Sequence, residues 1–300
     1  MEEDTKQRLS AYMAESGTPQ NRVAKALGIS SSALSQWLSG NYKGDNASVE
    51  ARVKDYLSAA AEEDGTAAYL EEQSIVEISC YKHASGFCKL VFKNKVMGML
   101  IGDAGAGKTT ALRDYARKHP ASILIEADPG YTPRVFFNEL CSRLNIGAPN
   151  ATHEKFMQAV DKLKNSGRLL MIDEAEWLPN ETLEYVRRIH DKTGISIVLC
   201  GLPRLEGNIR GRKFQFLQLS SRIQLVARLK NLLTQKDVEA YLESRFEKYS
   251  KGCVEALLEF SGRNCRIMAT ICKISAEEMA FKGISELSKD ILENAWSVSR

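Results

Sequence analysis

Two clusters in this sequence have the residue types and spacing to handle a nucleoside triphosphate. The first is Gly102-Asp103-Ala104-Gly105-Ala106-Gly107-Lys108-Thr109, which fits G-x-x-x-x-G-K-S/T, the phosphate-binding loop. Its glycines let backbone N–H groups turn inward around an anion, where a Cβ would obstruct the approach. Lys108 can reach the β- and γ-phosphates, the Thr109 hydroxyl can ligate Mg²⁺, and Thr110 closes the run. The second cluster, about 65 residues downstream of Lys108, is Leu169-Leu-Met-Ile-Asp173-Glu174. A buried strand ending in two carboxylates sets both at the carboxyl edge of a sheet, beside the loop. Asp173 would there orient Mg²⁺ and its waters, and Glu174 would polarise the attacking water as general base. ATP and Mg²⁺ are the expected cofactors.

Such residues need a strand to end at the loop and a helix to leave it. Val96 to Ile101 is short and largely apolar, as expected of a strand buried on both faces. Ala111 to Lys118 holds good helix formers, so the phosphates would sit at a helix N-terminus. Further strands are expected at 122–126, 168–172 and 195–200, alternating with helices at 132–144, 153–165 and 179–192. That alternation indicates an α/β fold whose parallel sheet is covered on both faces. Ser74, with Glu77 three positions on, is expected to cap a helix through residue 84. After residue 233 the pattern is helical only: 235–249, 252–260, 263–281 and 287–297, with Thr234 and Asp237 forming the first cap.

The first sixty residues read differently. Leu9, Tyr12 and Met13 mark a helix over 5–16, and Thr18-Pro19 opens another that runs from Gln20 to Leu27. Gly28-Ile29-Ser30 is a turn, and a third helix spans Ser31 to Leu38 before Gly40 stops it. Val23, Ala24, Leu27, Ile29, Leu34 and Leu38 would form a small core, leaving Ser31, Ser32, Ser35 and Gln36 exposed. The expected organisation is an all-α helix-turn-helix domain at 1–60, a linker at 61–74, an α/β core at 75–233 and a helical lid at 234–300.

Three hundred residues suit about two domains, and 44% hydrophobic with 26% charged residues is ordinary for a globular protein. A net charge of +3 does not by itself announce nucleic acid. The seven cysteines (80, 88, 141, 200, 253, 265 and 272) include no C-x-x-C pair and read as small buried hydrophobes of a reducing compartment. With no apolar signal core and no 18-residue apolar run, a cytoplasmic protein without a membrane partner is expected.

Residues 23–40, V-A-K-A-L-G-I-S-x-x-x-L-S-x-W-L-x-G, resemble the phage-repressor type of helix-turn-helix. That likeness implies a phosphate held by Gln20, with Ser31, Ser32 and Ser35 facing bases in a major groove. No Lys or Arg occurs in the third helix, and residues 1–60 carry seven basic against seven acidic side chains, which argues against tight reading of one operator.

From the loop onward the chain resembles the AAA+ ATPases, with Asp173-Glu174-Ala175 as the acidic motif they carry. The resemblance implies a fifth strand over Ile223 to Leu229. It also makes Arg222, in Ser221-Arg222 just before that strand, a finger reaching the neighbouring subunit's γ-phosphate. Gly262-Arg-Asn-Cys-Arg266 opens a lid helix where the family carries a second sensor arginine, which would be Arg266, with Arg263 as the reserve. One departure is Cys200-Gly201-Leu202-Pro203, where Leu202 stands at the end of strand four in place of the family's polar sensor. Hydrolysis is therefore expected to be slow and stimulated by a partner.

A small helix-turn-helix, N-Y-K-G-D-N at 41–46, one AAA+ module and the L-S-S-R-I run at 219–223 narrow the resemblance to transposition target-selection ATPases of the phage Mu type. That family implies ATP-dependent filaments on double-stranded DNA with little sequence preference, delivery of the target to a DDE transposase, and release on hydrolysis. Phosphate contacts from Thr132 and Arg134, in Pro129-Gly-Tyr131-Thr132-Pro-Arg134, follow from the same likeness. Residues 204–230 hold seven basic side chains against Glu206 alone, while the basic run that the family carries between strands two and three is here reduced to Lys155, Lys162 and Lys164. A helicase loader of the same superfamily and an ATP-switched transcription regulator are the alternative readings.

Overall fold

The computed structural model describes residues 5–6, 9–10, 12–13, 20–42, 44–54, 56–57, 75–147, 150–210, 217–229 and 233–299. The chain divides into two compact units, Met1–Ser74 and Ile75–Arg300. In the first, α1 (Gln20–Ala26) and α2 (Ser31–Leu38) flank a turn in which Gly28 takes a φ of +67°. Ser30 caps α2, its hydroxyl accepting from the Ala33 N–H at 3.1 Å. Val23, Ala24, Leu27 and Leu34 are buried as their spacing requires, whereas Ile29 and Leu38 are only partly so. Trp37 is the largest fully buried side chain, and Val49, Val53 and Leu57 from helical residues beyond 45 complete the cluster. Ser31, Ser32, Ser35 and Gln36 are exposed. Parts of the expected 5–16 helix, the Thr18-Pro19 opening and the 61–74 segment with Ser74 lie outside the described residues.

The second unit begins with α3 (Ser79–Asn94), which corrects the helix expected from Ser74 to residue 84. Residues 75–78 are not helical, and Asp237, 158 positions further on, holds the helix start. One of its carboxylate oxygens accepts from the Ser79 N–H at 2.7 Å and the Ser79 hydroxyl at 2.8 Å. The other accepts from the Thr234 N–H at 2.9 Å and the Thr234 hydroxyl at 2.8 Å, completing the expected capping box. Burial alone would raise the Asp237 pKa, but these four donors outweigh it and hold the carboxyl below its ordinary value. Asp237→Asn is expected to cost about 2–4 kcal/mol in urea unfolding, because the amide keeps one accepting oxygen and turns an NH2 donor toward the two donors of the other element. A carboxyl whose folded pKa is lowered contributes stability above its unfolded value of about 4 and loses it as pH falls through the folded one. The difference between parent and Asp237→Asn should therefore shrink below about pH 4.

After α3 come β1 (Met97–Gly102), α4 (Lys108–Lys118), β2 (Ser122–Glu126), α5 (Pro133–Arg143), α6 (Thr152–Leu163) and β3 (Leu169–Asp173). A short 3₁₀ turn at Ala175–Trp177 leads to α7 (Asn180–Thr193), β4 (Ser196–Gly201), α8 (Pro203–Arg210), α9 (Leu217–Arg222) and β5 (Ile223–Leu229). The helical end is α10 (Gln235–Arg245), α11 (Cys253–Phe260), α12 (Cys265–Lys282) and α13 (Lys289–Val298). Strands pair in parallel in the order β2-β3-β4-β1-β5. Strands expected at 122–126 and 223–229 match, while the other three run one residue further toward the carboxyl edge. Backbone pairing carries them on: Gly102 still pairs with Leu229, and Asp173 with Glu126.

Alternate residues of each central strand enter opposite cores. Leu100, Met171, Val198 and Cys200 pack toward α3, α4 and the lid, whereas Met99, Ile101, Ile172 and Leu199 pack toward α5, α6 and α7. Each fully buried Leu, Ile or Met contributes about 1.5–3 kcal/mol. The sheet is thus anchored on both sides, and its carboxyl edge is a fixed shelf.

Candidate active site

The phosphate loop leaves β1 at that shelf. Gly105 and Gly107 take φ of +78° and +80°, and Gly107 caps α4. A Cβ on Gly105 would also collide with the Asn264 side chain, so both conformation and space require glycine there. The first N–H groups of α4, from Lys108, Thr109 and Thr110, have no carbonyl of their own helix to bind and face an anion placed at the loop. Lys108 folds over the loop, its Nζ donating to Gly102 O at 2.7 Å and Asp103 O at 2.9 Å. An ammonium has three donors, so one remains for a phosphate oxygen.

Asp173 ends β3 and is 1% exposed. One carboxylate oxygen accepts from the Thr109 hydroxyl at 2.6 Å, and the other from the Glu174 N–H at 3.0 Å. A hydroxyl and a carboxylate held this close are the hard oxygen donors that suit Mg²⁺, which takes one or two protein ligands and fills its shell with phosphate and water. Among the described residues no three His, Cys, Asp or Glu side chains gather elsewhere to hold a metal.

Glu174 is exposed, at a φ of +50°, where the strand breaks into the 3₁₀ turn. Its Oε2 accepts from the Trp177 indole N–H at 3.1 Å. The Arg204 guanidinium lies over the Trp177 ring, 4.1 Å from its centroid, and its Nε is 3.5 Å from Glu176. The Glu176 carboxylate is buried against Gly201, and its Oε1 accepts from the Leu202 N–H at 3.2 Å. Sequence left the end of β4 without a polar side chain; the structure supplies one from Glu176. Beside it, Cys200 lies between the loop strand and Asp173, and burial, then the nearby carboxylate, pushes its thiol well up. Nothing in the sequence marked Trp177 or Glu176, and Arg204 counted only as one of the basic residues of 204–230; the tight turn after Glu174 carries the first two to the end of β4, where Arg204 meets them.

The helical end of the chain meets the other side of the loop. Asn264 caps α12 and donates to Ala104 O at 2.8 Å, and the Arg266 N–H donates to Gly105 O at 3.3 Å. Arg266 is exposed, with no partner for its guanidinium among the described residues. Arg263 instead spends its side chain on Leu233 O at 3.2 Å. Asn264 was within the motif but unremarked; its capping position was the available signal.

The structure does not bring Arg222 to its own loop. Ile223 pairs with Met97 at the amino end of β1, while the loop leaves the carboxyl end at Gly102. Five residues of strand separate the two levels, on the order of 16 Å. Arg222 donates to Asp191 at 2.7 Å and is half-exposed.

Thr132 caps α5, accepting from the Val135 N–H at 3.3 Å, and both Thr132 and Arg134, in the first turn of α5, are exposed. The basic stretch at 204–230 is less available than its composition implies. Arg210 and Arg228 pair with Glu206, Arg204 with Glu176 and Arg222 with Asp191, while Arg212, Lys213 and Lys230 lie outside the described residues. Lys155 is 2% exposed and donates to Asn138 at 2.7 Å, so it contributes no surface charge. Lys162 and Lys164 are exposed. In the other unit Gln20 is partly buried at the start of α1. No helix among the described residues is long and apolar enough to cross a membrane.

Residues 92–209 match a family model described as an AAA domain. Over 206 residues the chain is 28% identical to the Mu-like prophage FluMu DNA transposition protein B of Haemophilus influenzae, covering 68% of this chain and 71% of that protein. Over 227 residues it is 26% identical to the ATP-dependent target DNA activator B of Escherichia phage Mu, covering 73% and 71%. Its fold is similar to that of Aeropyrum pernix ORC2 in its ADP form (TM-score 0.56, 16% identity, 75% of this chain and 69% of that one). It is also similar to the Thermotoga maritima RuvB Holliday junction branch migration motor (TM-score 0.52, 16% identity, 77% and 73%).

Proposed function

We propose that this chain, a MuB-like AAA+ ATPase, grips target DNA while it holds ATP, presents that DNA to a DDE transposase, and lets go on hydrolysis. The observation that carries the reading is the loop of residues 102–109 joined to Asp173 through Thr109, in a chain aligned with an ATP-dependent target DNA activator. Lys108 and the N-terminus of α4 bind the phosphates. Thr109 and Asp173 would hold Mg²⁺, which when bound would neutralise charge on the phosphate oxygens. Glu174 takes the proton of the attacking water, and Arg266 lies on the lid where it senses the nucleotide through the loop.

Arg222, at the opposite level of the sheet, acts on the triphosphate of a neighbouring copy, which makes hydrolysis a property of the assembled protein. Assembly along DNA multiplies weak contacts from each subunit, so few free cations per copy suffice. Thr132 and Arg134, exposed at the N-terminus of α5, are the phosphate contacts of the 75–233 core. The 1–60 domain adds a helix-turn-helix in which Gln20 holds a phosphate and Ser31, Ser32 and Ser35 face the groove. Its second helix lacks Lys and Arg, so it grips without demanding one sequence.

Negative-stain microscopy with long random-sequence DNA tests this. With ATP the parent protein should coat the DNA regularly; Lys108→Ala, losing a charged hydrogen bond of about 1.5–3 kcal/mol, should bind ATP roughly 10–100-fold more weakly and leave the DNA bare. Occupancy at one discrete sequence, or coating by Lys108→Ala equal to the parent's, would overturn the reading.

A further inference from the structure

Seven cysteines occur in the chain, and five of them (88, 141, 200, 253 and 272) are buried. Cys80 and Cys265 are the two that are partly exposed, and they touch, with their sulfurs 3.5 Å apart although 185 residues separate them. The expectation that all seven are small buried hydrophobes therefore fails at one place. That place is beside the phosphate loop. Cys80 lies in the first turn of α3, and a Cβ on Gly107 would meet its sulfur at 3.3 Å. Cys265 is the first residue of α12, flanked by Asn264 and Arg266, whose donors rest on Ala104 O and Gly105 O.

We propose that Cys80 and Cys265 form a reversible dithiol site, closed to a disulfide by a hydroperoxide and reopened by small thiols, which staples the lid to the core across the phosphate loop. Closing the bond needs the sulfurs to approach by about 1.5 Å, to the usual 2.05 Å. Both sulfurs lie at helix N-termini, where the backbone dipole favours a thiolate. The hydrogen bond between the two sulfurs lowers the Cys80 thiol from its usual range and raises that of Cys265, which favours Cys80 as the attacking sulfur. Burial pushes the Cys88 and Cys272 thiols up to about 12, out of competition.

The Cys80 thiolate attacks the outer peroxide oxygen. An S–O bond forms, the O–O bond breaks, and the leaving oxygen takes a proton to depart as water or an alcohol. The Cys265 sulfur then attacks the sulfenic sulfur, forming S–S, breaking S–O and releasing water. Two thiols give up two electrons, and the peroxide takes them. The lid residues either side of Cys265 sit on the loop, so lid opening is a movement of α12 away from it. The disulfide forbids that movement and retains bound nucleotide. This consequence rests on the loop holding nucleotide, as the ATPase reading requires.

The test uses the full chain treated with hydrogen peroxide after reductant is removed. Peptide mapping without reduction should find one intramolecular link, Cys80 to Cys265, absent from Cys80→Ser and undone by dithiothreitol. Release of a fluorescent ADP analogue (mant-ADP) should slow by at least about tenfold in the linked protein and recover with dithiothreitol, while Cys80→Ser stays fast under both conditions. Separate oxidation of the two residues, a link to another cysteine, or unchanged release from linked protein would overturn the proposal. The map is made without nucleotide, so failure of reduced protein to bind mant-ADP would count against the nucleotide reading instead.

Discussion

Glu174→Gln should leave ATP bound and slow phosphate release by about 10²–10⁴-fold, the range that a positioned general base supplies. The substitution is close to isosteric, and the amide oxygen can still accept the Trp177 indole hydrogen bond that orients the side chain now. What disappears is the capacity to take a proton. Nucleotide affinity should stay within about twofold of the parent, because Lys108, Thr109 and Asp173 are untouched. Single-turnover measurement separates the two effects. Equal phosphate release by parent and variant would remove Glu174 from the chemistry and point to another group at the shelf, with buried Glu176 the first to examine.

The second large effect belongs to Arg222. An arginine supplied across a subunit boundary is worth about 10³–10⁵ in turnover, so Arg222→Ala should lower DNA-stimulated hydrolysis by at least about 10³-fold with little change in ATP binding. Loss of the Asp191 ion pair costs little stability, since both side chains are substantially exposed. Mixing makes the test specific. Lys108→Ala protein has a weakened loop but keeps Arg222, and Arg222→Ala protein has an intact loop without the finger. A mixture should recover activity that neither shows alone, because some interfaces pair a working loop with a working finger. No recovery at any ratio, together with full activity of Arg222→Ala alone, would place the arginine outside the reaction.

Local signals in the sequence went as far as local physics reaches. The glycines and Lys108 mark a loop because backbone N–H groups must converge there, and short apolar runs mark strands because both faces of the sheet are covered. Thr234 and Asp237 mark a cap three residues apart. What escaped notice depends on distant chain. Asp237 also draws the start of α3 to Ser79, displacing a helix that Ser74 and Glu77 suggested. Trp177 and Glu176 matter only because one tight turn carries them past Glu174 to the end of β4. Trp37 lies outside the expected core and is fully buried in a cluster that Val49, Val53 and Leu57, from beyond residue 45, complete. Charge was the least legible property. Lys155 counts as a surface cation in composition and proves to be buried on Asn138, and each described arginine between 204 and 230 has a carboxylate beside it.

Whether the triphosphate state governs the grip on DNA is read most directly by following phosphate release and DNA release in one stopped-flow experiment. Protein assembled on labelled duplex with ATP is chased with excess unlabelled duplex. In the parent, DNA should leave at the rate at which phosphate appears. In Glu174→Gln, DNA should stay bound for as long as hydrolysis is blocked. Departure of DNA at one rate from both proteins, with phosphate released by the parent alone, would contradict the coupling.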